Sequence, residues 1–195
     1  MKRQVIPGAY TPFRWNHPLS IIWIRPAAGN SRRGLLTAGG RTIPVALGRG
    51  GIRANKREGD GGTPRGIFHP LRLWWRGDRH ERPRTFLPVR AISSEDAWCE
   101  DPNDRHYNRP VRLERGRSGD RLRREDRLYD FIVEIDHNTR PRVAGRGSAV
   151  FLHLARENLG PTAGCVSMTK SANRESGISI AGCSVPTASS TSAVL

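Results

Sequence analysis

Apolar positions along this chain fall in short β-branched and aromatic runs that glycine and proline cut apart. Ser20–Ile24 reads as a short buried strand bounded by Arg25-Pro26. Gly34–Thr37 and Arg41–Leu47, joined through Ala38-Gly39-Gly40, read as a hairpin with a glycine turn. Pro44 lacks a backbone donor and pushes the second arm toward a sheet edge. Gly66–Trp75 resumes a strand pattern, and Leu128–Ile135 is the clearest strand of all. The loop 138–146 then leads to a strand over Ser148–Leu154, which predicts an adjacent antiparallel pair.

Three stretches lack such a period. Residues 1–19, with Pro7, Pro12 and Pro18, read as an extended lead-in. Residues 76–127 crowd Arg, Asp, His and Pro, and a long aperiodic excursion of this kind suggests a segment that covers a substrate site. Residues 171–195 are mostly Ser, Gly, Ala, Thr and Ile and are expected to be disordered or weakly packed. The chain thus divides into a lead-in (1–19), one domain (20–170) and an atypical tail (171–195).

Composition sharpens this picture. With 21 glycines, 14 prolines and only 36% apolar residues, many short strands and turns are favoured over long helices. The length of 195 residues suffices for a buried core without disulfide staples. Three widely spaced cysteines, Cys99, Cys165 and Cys183, form neither a disulfide framework nor a Cys-x-x-Cys metal pair. The net charge of +15 is almost wholly arginine, which points either to an anionic partner or simply to a solvated surface. No run approaches the roughly 18 apolar residues of a membrane helix. Pro7, Gly8, Pro12 and Arg14 break any signal-peptide core, so none is visible.

The candidate chemistry lies late in the chain. His153 ends an apolar run, and Cys165 follows twelve residues later behind Gly164. A strand, a loop and a Gly-Cys can bring imidazole and thiol together, and an imidazole-activated thiolate is a strong nucleophile. The amides of Gly164 and Cys165 could then face a developing oxyanion, with the sulfur exposed. The alternative for Cys165 is a buried, inert cysteine. His137, after the strongest strand, could line the same site or be a loop histidine. Cys99 sits among acidic residues that raise a thiol pKa and reads as structural; Cys183 reads as incidental. The glycine-dense loops at 48–51 and 58–64 lack the Gly-Lys-Ser/Thr of a phosphate loop and read as tight turns.

His153 behind Val150-Phe151-Leu152, followed by Thr162-Ala163-Gly164-Cys165-Val166, resembles the active-site signature of the L,D-transpeptidases with a YkuD-type catalytic domain. The segments Ala46–Arg49, Lys56–Gly66, Ala97–Cys99, Tyr107–Val111 and Leu128–Asp130 resemble a bacterial subgroup of that family, in the expected order. The chain departs from the common pattern at Ala163, Ser167 and Leu154-Ala155, and beyond residue 170. The resemblance implies a mainly β domain, a compact sandwich or barrel-like sheet with little helix. It implies Cys165 as nucleophile, His153 as general base and acid, Gly164 as an oxyanion donor through its N–H, and Thr162 as site lining. Peptidoglycan stem peptides would be the substrates, carbapenem-type compounds would acylate the thiol, and neither cofactor nor metal would be needed. Such an enzyme works in the periplasm or cell envelope, either as a transpeptidase or as an L,D-carboxypeptidase. The rival from another class is an arginine-rich nucleic-acid-binding protein, although no RNA-recognition motif is present and nucleic acid is not the expected partner.

Overall fold

The structure, a computed structural model, describes residues 21–113, 119–170 and 192–194. Every element named among them is a strand. In chain order these are β1 (Ile21–Ala27), β2 (Asn30–Ala38), β3 (Arg41–Ala46), β4 (Ile52–Arg53), β5 (Thr63–Pro64), β6 (Ile67–Phe68), β7 (Pro70–Trp75) and β8 (Val89–Ala91). There follow β9 (Asp96–Trp98), β10 (Pro110–Arg112), β11 (Asp120–Arg121), β12 (Phe131–Ile135), β13 (Phe151–Leu154), β14 (Val166–Met168) and β15 (Ser192–Val194). A ten-stranded sheet runs β6-β15-β1-β2-β3-β14-β13-β12-β7-β8, beside a three-stranded sheet β10-β9-β11 and the pair β4-β5.

The hairpin β2–β3 forms as the pattern predicts. Gly39 and Gly40 both take positive φ, 52° and 75°, the primed turn that matches strand twist and that side chains resist. Two boundaries differ. β1 runs through Pro26, which pairs with Gly34, before a bulge at Ala27. β3 is internal rather than an edge, since β14 joins it, but only through Ser167 and Ala46. Pro44 therefore sits where the ladder beside it is empty, and its missing N–H costs nothing there.

The predicted antiparallel partners β12 and β13 are neighbours, with Ile132 opposite His153 and Val133 opposite Leu152. These central strands are buried on both faces. Val133, Ile135, Leu152 and Leu73 enter one core cluster with Leu36, Val45 and Leu47. Ile132, Phe151 and Trp74 enter a second with Trp98, Leu122, Tyr129 and Cys165. Trp98 and Leu122 come from the 76–127 region, so part of that aperiodic stretch is a small sheet covering the second face. Burial on both faces explains why Phe131–Ile135 and Val150–Leu154 read as apolar runs rather than alternating ones, each broken only by one buried polar residue, Glu134 and His153. Of the tail 171–195, Ser192–Val194 forms β15, parallel to β1 and antiparallel to β6. Residues 1–20, 171–191 and 195, including the lead-in and Cys183, lie outside the described residues.

Candidate active site

β14 runs parallel to β13, pairing Leu152 with Val166 and His153 with Ser167. Cys165 is therefore one step ahead of β14, level with Phe151, and His153 lies two residues further along the same face. The turn that delivers Cys165 is tied by Thr162: its hydroxyl donates to the Cys165 carbonyl (2.6 Å) and accepts the Gly164 N–H (3.1 Å). Gly164 cannot be replaced cheaply. Its φ is 149°, and a Cβ there would stand 2.9 Å from the Gly62 carbonyl oxygen. The glycine-dense loops thus let backbones meet closely beneath the nucleophile, beyond making tight turns.

His153 is 5% exposed and accepts no ring partner on Nε2; its Nδ1 lies 2.7 Å from the Leu154 carbonyl oxygen. A carbonyl only accepts, so Nδ1 carries the proton and Nε2 is the free base. Tyr129 meets the imidazole edge-on with centroids 5.2 Å apart, and its hydroxyl donates to Asp120 at 2.8 Å. Cys165 and His153 line one cavity of about 520 Å³, together with Thr162, Gly164, Ser148, Tyr129, Lys56 and Arg49. The sulfur is not exposed as its position after a glycine suggested. Cys165 as a residue is 6% accessible, and its sulfur is held inside: Phe151 N–H donates to Sγ (3.3 Å) and Sγ–H donates to the Ala149 carbonyl (3.2 Å). Among the described residues no Cys165–His153 hydrogen bond is formed at rest.

Burial sets the charge state of the pair. It lowers the His153 pKa to about 4, against a smaller upward pull from the Leu154 carbonyl. It raises the Cys165 thiol to about 12, with Asp120 and Glu100 adding to the rise. The resting pair is a neutral thiol beside a neutral imidazole. The Gly164 N–H is committed to Thr162, whereas the Cys165 N–H has no acceptor among the described residues. Of the two amides the sequence nominated for an oxyanion, the second is the one left available.

His137 is not among the residues that line the cavity. Its Nε2 pairs with the Arg146 carbonyl at 3.1 Å and its ring stands edge-on to Phe68, so it closes the 138–147 loop instead. Cys99 is buried within the covering sheet. Several lining groups went unnamed in the sequence reading. Glu58 accepts hydrogen bonds from the Tyr107 hydroxyl and from Ser148 (2.8 Å), while Lys56 pairs with Asp60 at 2.5 Å. Glu100 reaches the cavity mouth, where burial, then Asp120 and Glu58, raise its carboxyl to about 7. Glu58 and Lys56 belong to the Lys56–Gly66 run that carried the family resemblance; Glu100 and Asp120 lie twenty residues apart with no pattern joining them. Lys56, Arg49, Arg124 and Arg156 line this cavity together with Glu58, Glu100 and Asp120, so charge of both signs shares it with the thiol.

The family model of the YkuD L,D-transpeptidase catalytic domain matches residues 21–175. No curated protein and no solved structure matches the chain. No helix among the described residues is long and apolar enough to cross a membrane. The family match spans β1 to β14 and both residues of the candidate pair, and the chain belongs to the L,D-transpeptidase family, as an L,D-transpeptidase-type enzyme that acts on peptidoglycan.

Proposed function

We propose that Cys165 is the nucleophile of this enzyme and His153 its general base and acid, acting through a thioester acyl-enzyme. The observation that carries the reading is their shared cavity: His153, its Nδ1 held by the Leu154 carbonyl and its Nε2 without a partner among the described residues, lines the pocket that Cys165 also lines. Because the resting pair is neutral, the proton moves when substrate arrives. Sγ–H leaves the Ala149 carbonyl for His153 Nε2 as sulfur attacks the carbonyl carbon on the L-centre side of an L,D peptide bond. The Cys165 N–H supports the oxyanion, a contribution of about 3 kcal/mol for such a donor. The C–N bond then breaks, His153 returns its proton to the leaving D-alanine nitrogen, and the thioester remains. An amine from a second stem peptide resolves it in transpeptidation; water would do so in a carboxypeptidase. Work on the wall polymer puts the enzyme in the cell envelope; residues 1–20, where a leader would be read, lie outside the described residues.

Carbapenem acylation tests the nucleophile. Attack on the β-lactam carbonyl opens the ring C–N bond, and the ring nitrogen keeps the proton, so the protein gains the full mass of the drug. Intact mass should show that gain in the native chain and none in Cys165→Ala. An adduct of equal yield in Cys165→Ala would sink the assignment.

A further inference from the structure

We infer that Asn108 is a positioning residue for the Cys165 thiol: it holds Ala149 in the left-handed turn whose carbonyl accepts the Sγ proton. Asn108 is 4% exposed and all four hydrogen-bonding positions of its side chain are filled. Oδ1 accepts from Trp98 Nε1 (2.9 Å) and from the Ala149 N–H (3.2 Å). Nδ2 donates to the carbonyls of His137 (3.0 Å) and Asn138 (2.9 Å). One amide group thus ties the start of the 136–150 connection to its end.

What it ties are strained turns. Asn138 and Ala149 have φ of 50° and 51°, and Asn108 itself 53°. Asparagine tolerates this region; alanine does not, and needs a surrounding structure that holds it there. Ala149 has such a reason. Its carbonyl accepts Sγ–H at 3.2 Å, and two residues on, Phe151 N–H donates to Sγ at 3.3 Å. The backbone on either side of Val150 therefore clasps the sulfur. A return of Ala149 to negative φ would swing its carbonyl off the sulfur and misdirect Sγ within the cavity. Asn108 touches neither substrate nor sulfur; it acts through Ala149.

The inference rests on the nucleophile reading, and the experiment separates the two. Saturating carbapenem acylation is followed by stopped flow and intact mass in the full chain, with near-UV circular dichroism as the check on folding. Asn108→Ala should lower the limiting acylation rate about 100-fold, as a misplaced nucleophile does, without changing the half-saturating drug concentration. Adding Ala149→Gly should restore the rate to within about tenfold of the native chain, because glycine adopts positive φ without the steric cost that alanine needs the anchor to offset. Trp98→Phe, which removes the other donor to Oδ1, should leave the limiting rate unchanged. A folded Asn108→Ala with the native rate overturns the inference, and so does a loss that Ala149→Gly fails to rescue. Should Asn108→Ala not fold, the double variant alone decides. Folding and acylation support the role; failure to fold overturns it, since Asn108 would then hold more than the Ala149 turn. A native chain that takes up no drug at Cys165 removes the nucleophile reading and this inference with it.

Discussion

The two ends of the ten-stranded sheet and its middle obey different rules. At the β6-β15-β1-β2 end, β1 alternates exposed and buried: Ile22 and Ile24 are 3% and 5% accessible, Ile21 and Trp23 41% and 53%. In the middle, all four residues of β13 and all three of β14 are buried. A half-buried strand needs polar or tolerant residues on one face; a doubly buried strand can host a polar group only if something answers it. β13 hosts His153 and β14 hosts Ser167. The site therefore stands where the protein interior is least forgiving, and the charge states of its residues follow from that position.

The contrast breaks most directly at Phe151. It is 1% accessible and packs edge-on against Trp98 and Tyr129, at centroid distances of 4.9 and 6.2 Å. Phe151→Ala should cost about 3–5 kcal/mol in a urea melt, the range for emptying a buried aromatic site. A cost below about 1 kcal/mol would mean that the small sheet β10-β9-β11 does not seal the second face.

This doubly covered middle is also where the sequence was hardest to read. The hairpin β2–β3 and the β12–β13 pairing were legible, because a glycine turn and apolar runs are local signals. His153 and Cys165 were legible as a spacing, and the Lys56–Gly66 run sharpened it. The sulfur's burial was not, because the group that buries it is the Ala149 carbonyl, aimed by a turn that Asn108 holds from forty-one residues away. Glu100 and Asp120 reach the cavity through the covering sheet, and no sequence period connects a loop to a site it covers. His137 illustrates the converse case, in which sequence left two alternatives open: this histidine close behind a strong strand has its ring taken up by Arg146 and Phe68. Sequence distance to the site said nothing about which way that ring would face.

A smaller effect follows from the charge state of His153. Its folded pKa, about 4, lies below the ordinary histidine value of about 6.5. Above about pH 6.5 the imidazole is neutral in both states and stability is unaffected by it. As pH falls toward 4, the unfolded chain takes up a proton that the folded chain refuses, so stability falls through that window. The loss should approach about 3 kcal/mol near pH 4. His153→Gln should flatten this part of the stability profile, as measured by urea midpoints at matched ionic strength. An equal slope in the variant would show that His153 titrates alike in the folded and unfolded chains, so that burial does not hold it neutral.

The smallest effect should come from the half-buried end. Ile67 in β6 is 64% exposed, and it is paired through β15 to the outward row that also holds Trp23. Ile67→Thr keeps β-branching, which suits a strand, and trades an apolar surface already in water for a hydroxyl. The expected change is within about 0.5 kcal/mol, with carbapenem acylation of Cys165 unaltered. A loss above about 2 kcal/mol in the urea midpoint would show that the outer face of β6 is covered, and that this end of the sheet is sealed like the middle. The distinction between a one-faced end and a two-faced centre would then fail, and with it the reason for placing the buried chemistry in β13 and β14 rather than elsewhere in the sheet.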